Sequence, residues 1–344
     1  MALLSPLAPV LGGEGRTGGR RLPGILCRSV AKGSGACYIR GMIAVDIDHV
    51  TKTFGAHTAV DDLSLQVPAG AVYGFIGPNG SGKTTTLRMI MRILHPDRGH
   101  IRVLGEESFG AANDRVGYLP EERGLYKAMK VRDLLRFYAE LKGCRDSRAA
   151  VASWLERMGL SDWADKKVQA LSKGMSQKVQ FIATVVSRPE LVLLDEPFSG
   201  LDPVNAEVLR EAILSLKRDG ATIIFSTHDM SMAEKMCDFI FMIHKGRKVL
   251  DGTLAAIQAT YGHDTLRVSL ADGSATLADL PGVARVTDFG QMQELRLEPG
   301  TDPQRLLAVL MARGPVRHFE VAHPSLQDIF VRIAGPTTEG KDHA

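Results

Sequence analysis

The chain has 344 residues, 44% of them apolar and 6% aromatic, enough for one large globular domain and a smaller one. Its net charge of +3 is unevenly spread, since residues 1–41 hold six basic residues against one acid and the rest holds 36 against 38. A near-neutral body gives no support for the strongly basic face of a nucleic-acid footprint, and no run of about 20 apolar residues offers a membrane span.

The leader "MALLSPLAPVLGG" is apolar but lacks the basic residues that precede a secretory core. Its arginines come later, a composition shared by organellar transit segments and by unstructured chain. Residues 1–41 therefore read as a disordered or mis-started extension. Cys27, Cys37, Cys144 and Cys237 lie far apart without metal spacing, which suits a reduced cytosolic protein. From Ile43, "IAVDIDHV" and "LSLQV" (63–67) alternate as antiparallel strands with one buried face do. "AVYGFIG" (71–77), "LVLLD" (191–195) and "ATIIFST" (221–227) are continuous apolar runs ending on polar residues. They read as parallel strands buried on both faces, with functional groups at their carboxyl ends. Between them, "VRDLLRFYAELKG" and "RAAVASWLERMGL" space apolar residues at three and four, so residues 122–170 are helical. "FIFMIHKGRKVLDG" (239–252) is a hairpin around Lys245-Gly246. Residues 265–336 read as a strand, two further strands at about 283–298, a helix at 302–313, a strand at 316–322 and a helix at 325–334. The division expected is 42–262, with a helical part at about 122–188, then a small α+β module at 265–336 and a tail at 337–344.

"GPNGSGKT", Gly77 to Thr84, matches G-x-x-x-x-G-K-[ST] between an expected strand and an expected helix, the context a phosphate-binding loop requires. Glycines let consecutive N–H groups converge on phosphate oxygens, Lys83 reaches the β- and γ-phosphates, and the Thr84 hydroxyl holds Mg²⁺. Asp195, at the end of an apolar strand, is placed to bind Mg²⁺ through water, and Glu196 to polarise an attacking water. His228 ends the next strand, where it suits a γ-phosphate sensor. "LSKGMSQKVQ" (171–180) sets a Ser and a Gly at the head of an amphipathic helix, whose free N–H groups favour an anion. A plain helix cap explains Ser172 but not Gly174.

The order Phe54, "GPNGSGKT", "GYLPEE", "LSKGMSQ", "LVLLDEP", "SGLDP", "STHD" resembles the ATP-binding cassette of ABC transporters over about residues 43–262. The resemblance implies an α/β fold: a P-loop ATPase core with antiparallel β and helical subdomains, followed here by the small α+β domain. It implies that Phe54 stacks on adenine and that Gly77, Pro78, Asn79, Gly80, Ser81, Gly82, Lys83, Thr84 and Thr85 cradle ATP. Glu196 is then the catalytic base, His228 the switch residue, and residues 199–203, Asp202 among them, link the two sites of a dimer. Ser172 and Gly174 contact the γ-phosphate of ATP held by the opposite subunit. Two positions depart from the family: Lys173 replaces a Gly, and Glu121 replaces a Gln that contacts Mg²⁺ and the attacking water. A carboxylate suits Mg²⁺, so Glu121 joins Thr84 and Asp195 as an expected metal ligand, while adding negative charge near the triphosphate. "PEERGLY", "LSKGM" and the C-terminal "HPSLQDIFVRIAG" resemble the sodium-export type of exporter ATPase. The partners implied are a second ABC ATPase subunit, identical or not, and integral-membrane permeases, with the chain peripheral on the cytoplasmic face of the cell membrane. The rival reading is a soluble cassette acting on ribosomes or DNA. Such proteins resemble two cassettes on one chain or carry long coiled-coil insertions, and neither is seen here. A cassette that binds ATP without hydrolysing it is a third reading, opposed by intact Lys83, Asp195, Glu196 and His228.

Overall fold

The computed structural model describes residues 42–107, 114–122, 124–261, 264–271, 277 and 279–334. The expectations placed on residues 1–41 and 337–344 lie outside these.

β1 (Ile43–Phe54) and β2 (His57–Pro68) pair antiparallel from Ile43–Pro68 to Phe54–His57. β3 (Val72–Ile76) follows and leads through the phosphate-loop sequence into α1 (Lys83–Ile90). β4 (Arg98–Val103) returns to the free edge of β1, completing a three-stranded antiparallel sheet. Next come β5 (Val116–Leu119), α2 (Val131–Leu141), α3 (Ser147–Arg157) and α4 (Lys173–Val185). β6 (Leu191–Asp195), α5 (Pro203–Arg218), β7 (Thr222–Thr227) and α6 (Met230–Met236) alternate as strand-helix units. β8 (Phe239–His244) and β9 (Arg247–Gly252) form the expected hairpin, with Lys245 and Gly246 both left-handed at φ 49° and 78°.

The second sheet has the order β5-β6-β7-β3-β8-β9, parallel except for β9. β3, β6 and β7 are buried along their whole length, as their unbroken apolar runs demand. Because β7 lies between β6 and β3, their carboxyl ends set Asp195, Thr227 and Ile76 side by side at one rim. The three chain segments that carry chemistry leave from that rim, as ligand sites on open parallel sheets do.

α2, α3 and α4 bury Leu134, Leu135, Val151, Trp154, Leu155, Phe181 and Ile182 in one cluster that continues under the sheet. Trp154 meets Phe181 edge-on, ring centroids 5.9 Å apart. Phe181 is fully buried, so Phe181→Ala should cost about 3–5 kcal/mol of stability. Urea denaturation checks this, and a loss below about 1 kcal/mol would mean that the cluster is not the core of this part.

α7 (Leu254–Tyr261) leads to the C-terminal elements β10 (Thr265–Leu270), β11 (Val283–Asp288), β12 (Gln293–Leu297), α8 (Pro303–Arg313), β13 (Val316–Ala322) and α9 (Leu326–Ala334). The sheet order is β11-β12-β10-β13, all antiparallel, and α8 closes its core with Leu306 and Leu310. α9 turns back on the larger part of the chain. Its Leu326 and Ile329 are buried with Ile76, Met230, Ala233, Ile240, Met242 and Ile257, and the Leu326 N–H donates to the Glu234 carboxylate on α6. Arg332 holds α9 to the head of β10 through a two-pronged pair with Asp264 at 3.1 Å. Among the described residues no helix is long and apolar enough to cross a membrane.

Candidate functional site

The loop from Gly77 to Gly82 passes between the backbones of β8 and β2. A Cβ on Gly77 would lie 2.2 Å from the Ile243 carbonyl oxygen, and one on Gly82, at φ 110°, 2.5 Å from that of Ala59. Only glycine fits both places, so the sequence pattern is enforced by the neighbouring strands as well as by phosphate geometry. Gly82 immediately precedes α1, whose first N–H groups open toward the loop.

Lys83 is 6% exposed, and its ammonium donates to the carbonyls of Gly77 (2.8 Å) and Pro78 (3.2 Å). Burial pushes its pKa below the ordinary lysine value, opposed by the charges of Glu196, Asp195 and Glu121. The ammonium thus stands in a net acidic pocket, 3.7 Å from a Glu196 oxygen. The Thr84 hydroxyl donates to Asp195 Oδ1 at 3.1 Å, and Ser226 donates to the same oxygen at 2.5 Å. Asp195 is fully buried, and its other oxygen, Oδ2, has no hydrogen-bond partner among the described residues. A buried carboxylate oxygen without a partner is costly unless something else takes it. With the Thr84 hydroxyl beside it, this is an all-oxygen set that fits a hard divalent cation such as Mg²⁺. Among the described residues no group of three or more His, Cys, Asp or Glu gathers for a metal.

Glu196 sits one residue beyond β6 with a left-handed backbone, φ 49°, an unfavourable conformation for a residue with a side chain. Its N–H donates to the Ser226 hydroxyl at 2.9 Å, so Ser226 fixes both carboxylate residues from the neighbouring strand. His228 Nδ1 lies 3.1 Å from each Glu196 oxygen. A carboxylate only accepts, so Nδ1 carries the proton in this contact. The structure therefore brings together Lys83, Thr84, Asp195, Glu196 and His228. Glu121 is exposed on the loop after β5 and near enough to act on the Lys83 charge.

The remaining expected residues stand on other elements. Phe54, 48% exposed at the end of β1, carries the Lys52 ammonium 5.6 Å from its ring centroid. An exposed flat ring is free to stack on a base. Ser172 caps α4 by accepting from the Met175 N–H at 3.2 Å. The Lys173 side chain lies over Gly200, where a Cβ would come within 2.6 Å of its Cε and Nζ. Gly200 in "SGLDP" thus makes room for the lysine that departs from the family. Asp202 caps α5, accepting from Val204 N, Asn205 N and Asn205 Nδ2, and these bonds from Asn205 hold its carboxyl below the usual range.

Residues 60–199 match the family model described as ABC transporter, and residues 252–334 the model described as ATP-binding protein DrrA1-3-like, C-terminal domain. The chain is 43% identical over 295 residues to an uncharacterized ABC transporter ATP-binding protein, YhaQ, of Bacillus subtilis (strain 168), covering 85% of this chain and 99% of that one. The chain belongs to the ATP-binding subunits of ABC transporters. ABC ATP-binding subunits are ATPases, and the chain is an ATPase subunit by that membership. The chain is also 35% identical over 297 residues to a Nod factor export ATP-binding protein I of Burkholderia orbicola (strain AU 1054), covering 85% of this chain and 97% of that one. A solved structure described as the ATP binding subunit of an ABC transporter superposes with a TM-score of 0.60 at 30% identity, over 64% of this chain and 93% of its own.

Sequence reasoning missed Ser226, and also Gln177 and Gln180 on α4, which bond to the loops carrying the acidic residues. Ser226 is opposite Asp195 only through the β6–β7 register, which no local pattern announces.

Proposed function

We propose that this ABC ATPase subunit drives an exporter, pairing with a second cassette around two ATP molecules and docking on separate integral-membrane permeases at the cytoplasmic face of the cell membrane. The observation that carries the hydrolytic part is the convergence on Glu196. Its carboxylate, 10% exposed, is held between His228 and Lys83 by a strained backbone. A carboxylate so placed orients a water toward the γ-phosphate, with His228 fixing its direction and Lys83 drawing charge from the phosphate oxygens. Thr84, Asp195 and Glu121 would hold Mg²⁺, which when bound neutralises charge on the β- and γ-phosphates. The phosphate loop cradles the triphosphate and Phe54 covers the adenine. Ser172, exposed, and Gly174, half-buried, at the start of α4 complete the site of the opposite subunit, and residues 199–203 with Asp202 join the two.

A cleft of about 290 Å³ beside the Glu121 loop supports permease docking. Met91, Tyr118, Leu125, Tyr138 and Lys142 line it, and exposed Tyr126 and Phe137 stand at its side in an aromatic cluster with Tyr138. Exposed apolar surface grouped at a cleft marks a protein contact. Likeness to a Nod factor export subunit supports export as the direction. Cell fractionation tests the partner class: the chain should sediment with membranes, and recovery with ribosomes instead would overturn the reading.

Glu121→Gln should keep hydrolysis but raise the Mg²⁺ concentration for half-maximal rate, since an amide oxygen binds the cation more weakly than a carboxylate. An Mg²⁺ titration at fixed pH and ATP decides it, and an unmoved curve removes Glu121 from the ligand set.

A further inference from the structure

α4 carries two glutamines on one face, Gln177 and Gln180, only 3% and 6% exposed. Gln177 Nε2 donates to the Pro197 carbonyl at 3.1 Å, one residue beyond Glu196. Gln180 Nε2 donates to the carbonyls of Pro120 (3.4 Å) and Glu122 (3.2 Å), one on each side of Glu121. Both N–H groups of one amide are thus spent on the loop that displays Glu121. The amide orientation follows, because the opposite one would turn its oxygen toward two carbonyl oxygens. In consequence Gln180 Oε1 is buried with no hydrogen-bond partner among the described residues. An apolar side chain of the same length would avoid that unpaired oxygen, so packing alone does not favour a glutamine here.

We propose that Gln180 is a positioning residue for Glu121. By pinning the two peptide carbonyls that flank it, Gln180 keeps the Glu121 backbone fixed while the carboxylate stays exposed and acts on the Lys83 charge. The helix that begins with Ser172, Lys173 and Gly174 thereby holds the acidic loop as well. Movement of α4 as a rigid piece shifts both together. The link to metal binding rests on the reading of Glu121 as an Mg²⁺ ligand; the hold on the loop does not.

Gln180→Met tests this, since it preserves length and helix propensity while deleting the two donors. The first readout is amide hydrogen exchange of residues 117–122 in the nucleotide-free protein. Exchange should quicken by about tenfold, the loss expected for one net hydrogen bond. The second is the Mg²⁺ concentration for half-maximal hydrolysis, which should rise about threefold or more if the carboxylate loses its fixed direction. Gln177→Met, an equal change one turn away, deletes a bond to the Pro197 carbonyl instead and should leave the exchange of residues 117–122 unmoved. Unchanged exchange in Gln180→Met overturns the proposal. Faster exchange with an unmoved Mg²⁺ curve also overturns it when Glu121→Gln does shift that curve, because the loop is then held without effect on Glu121. If Glu121→Gln itself leaves the curve unmoved, the ligand reading fails separately, and the exchange rate alone decides whether Gln180 fixes the loop.

Discussion

Glu196→Gln should lower ATP turnover by about 10²–10⁴-fold, the range that a positioned base contributes, while ATP still binds. The amide keeps the size of the side chain and leaves the phosphate loop, Lys83, Thr84 and Asp195 untouched. What disappears is the charge that takes a proton from the attacking water and strengthens the hydrogen bond donated by His228 Nδ1 at 3.1 Å. Removing that charge also withdraws one of the anions that counters the buried Lys83 ammonium, so ATP phosphates should be held at least as well as before. Phosphate release measured beside titration of a fluorescent ATP analogue separates the two effects. Turnover at the parent rate would show that Glu196 is not the base.

Lys83→Ala should act on the other side of the same balance, weakening ATP binding itself. A charge-assisted contact to the β- and γ-phosphates contributes about 1.5–3 kcal/mol, so affinity should fall roughly 10- to 150-fold. The lysine also bridges the Gly77 and Pro78 carbonyls, and its loss frees those acceptors for water at the loop. The fold itself should survive, because the loop is held from outside by Ile243, Ala59 and the Gly246 N–H bond to Ser81. Titration with the fluorescent analogue, with a melting curve as control, reads the effect. Unchanged affinity in a folded variant would count against the phosphate-loop assignment.

The parts of this site that were legible in sequence are those whose chemistry is local. β3, β6 and β7 announced themselves as apolar runs with polar ends, and Gly77 to Thr84 as a strand-loop-helix pattern. β4, "RGHIRV", and β5, "VGYL", did not, because a glycine and a length of four to six residues leave too little period to read. Asp202 reads as part of a linking loop and is in addition the N-cap of α5, with Pro203 at the first helical position. The Asp-Pro signal for that helix start was present. Ser226 and Gln180 could not be read, since each meets its partner through strand register or helix packing across 31 and 58 residues. α9 was legible as a helix, but no sequence period says which surface it covers. Its burial on α6, the helix that follows His228, is a product of the whole fold.

Light scattering on the Glu196→Gln chain, with and without ATP and Mg²⁺, measures whether two copies close around nucleotide at the site built from Lys83, Glu196 and His228. The mass should be that of one chain without ATP and of two chains with it, returning to one when Lys83→Ala is added. A mass that stays at one chain while phosphate is released at the parent rate would contradict both the base assignment and the paired site.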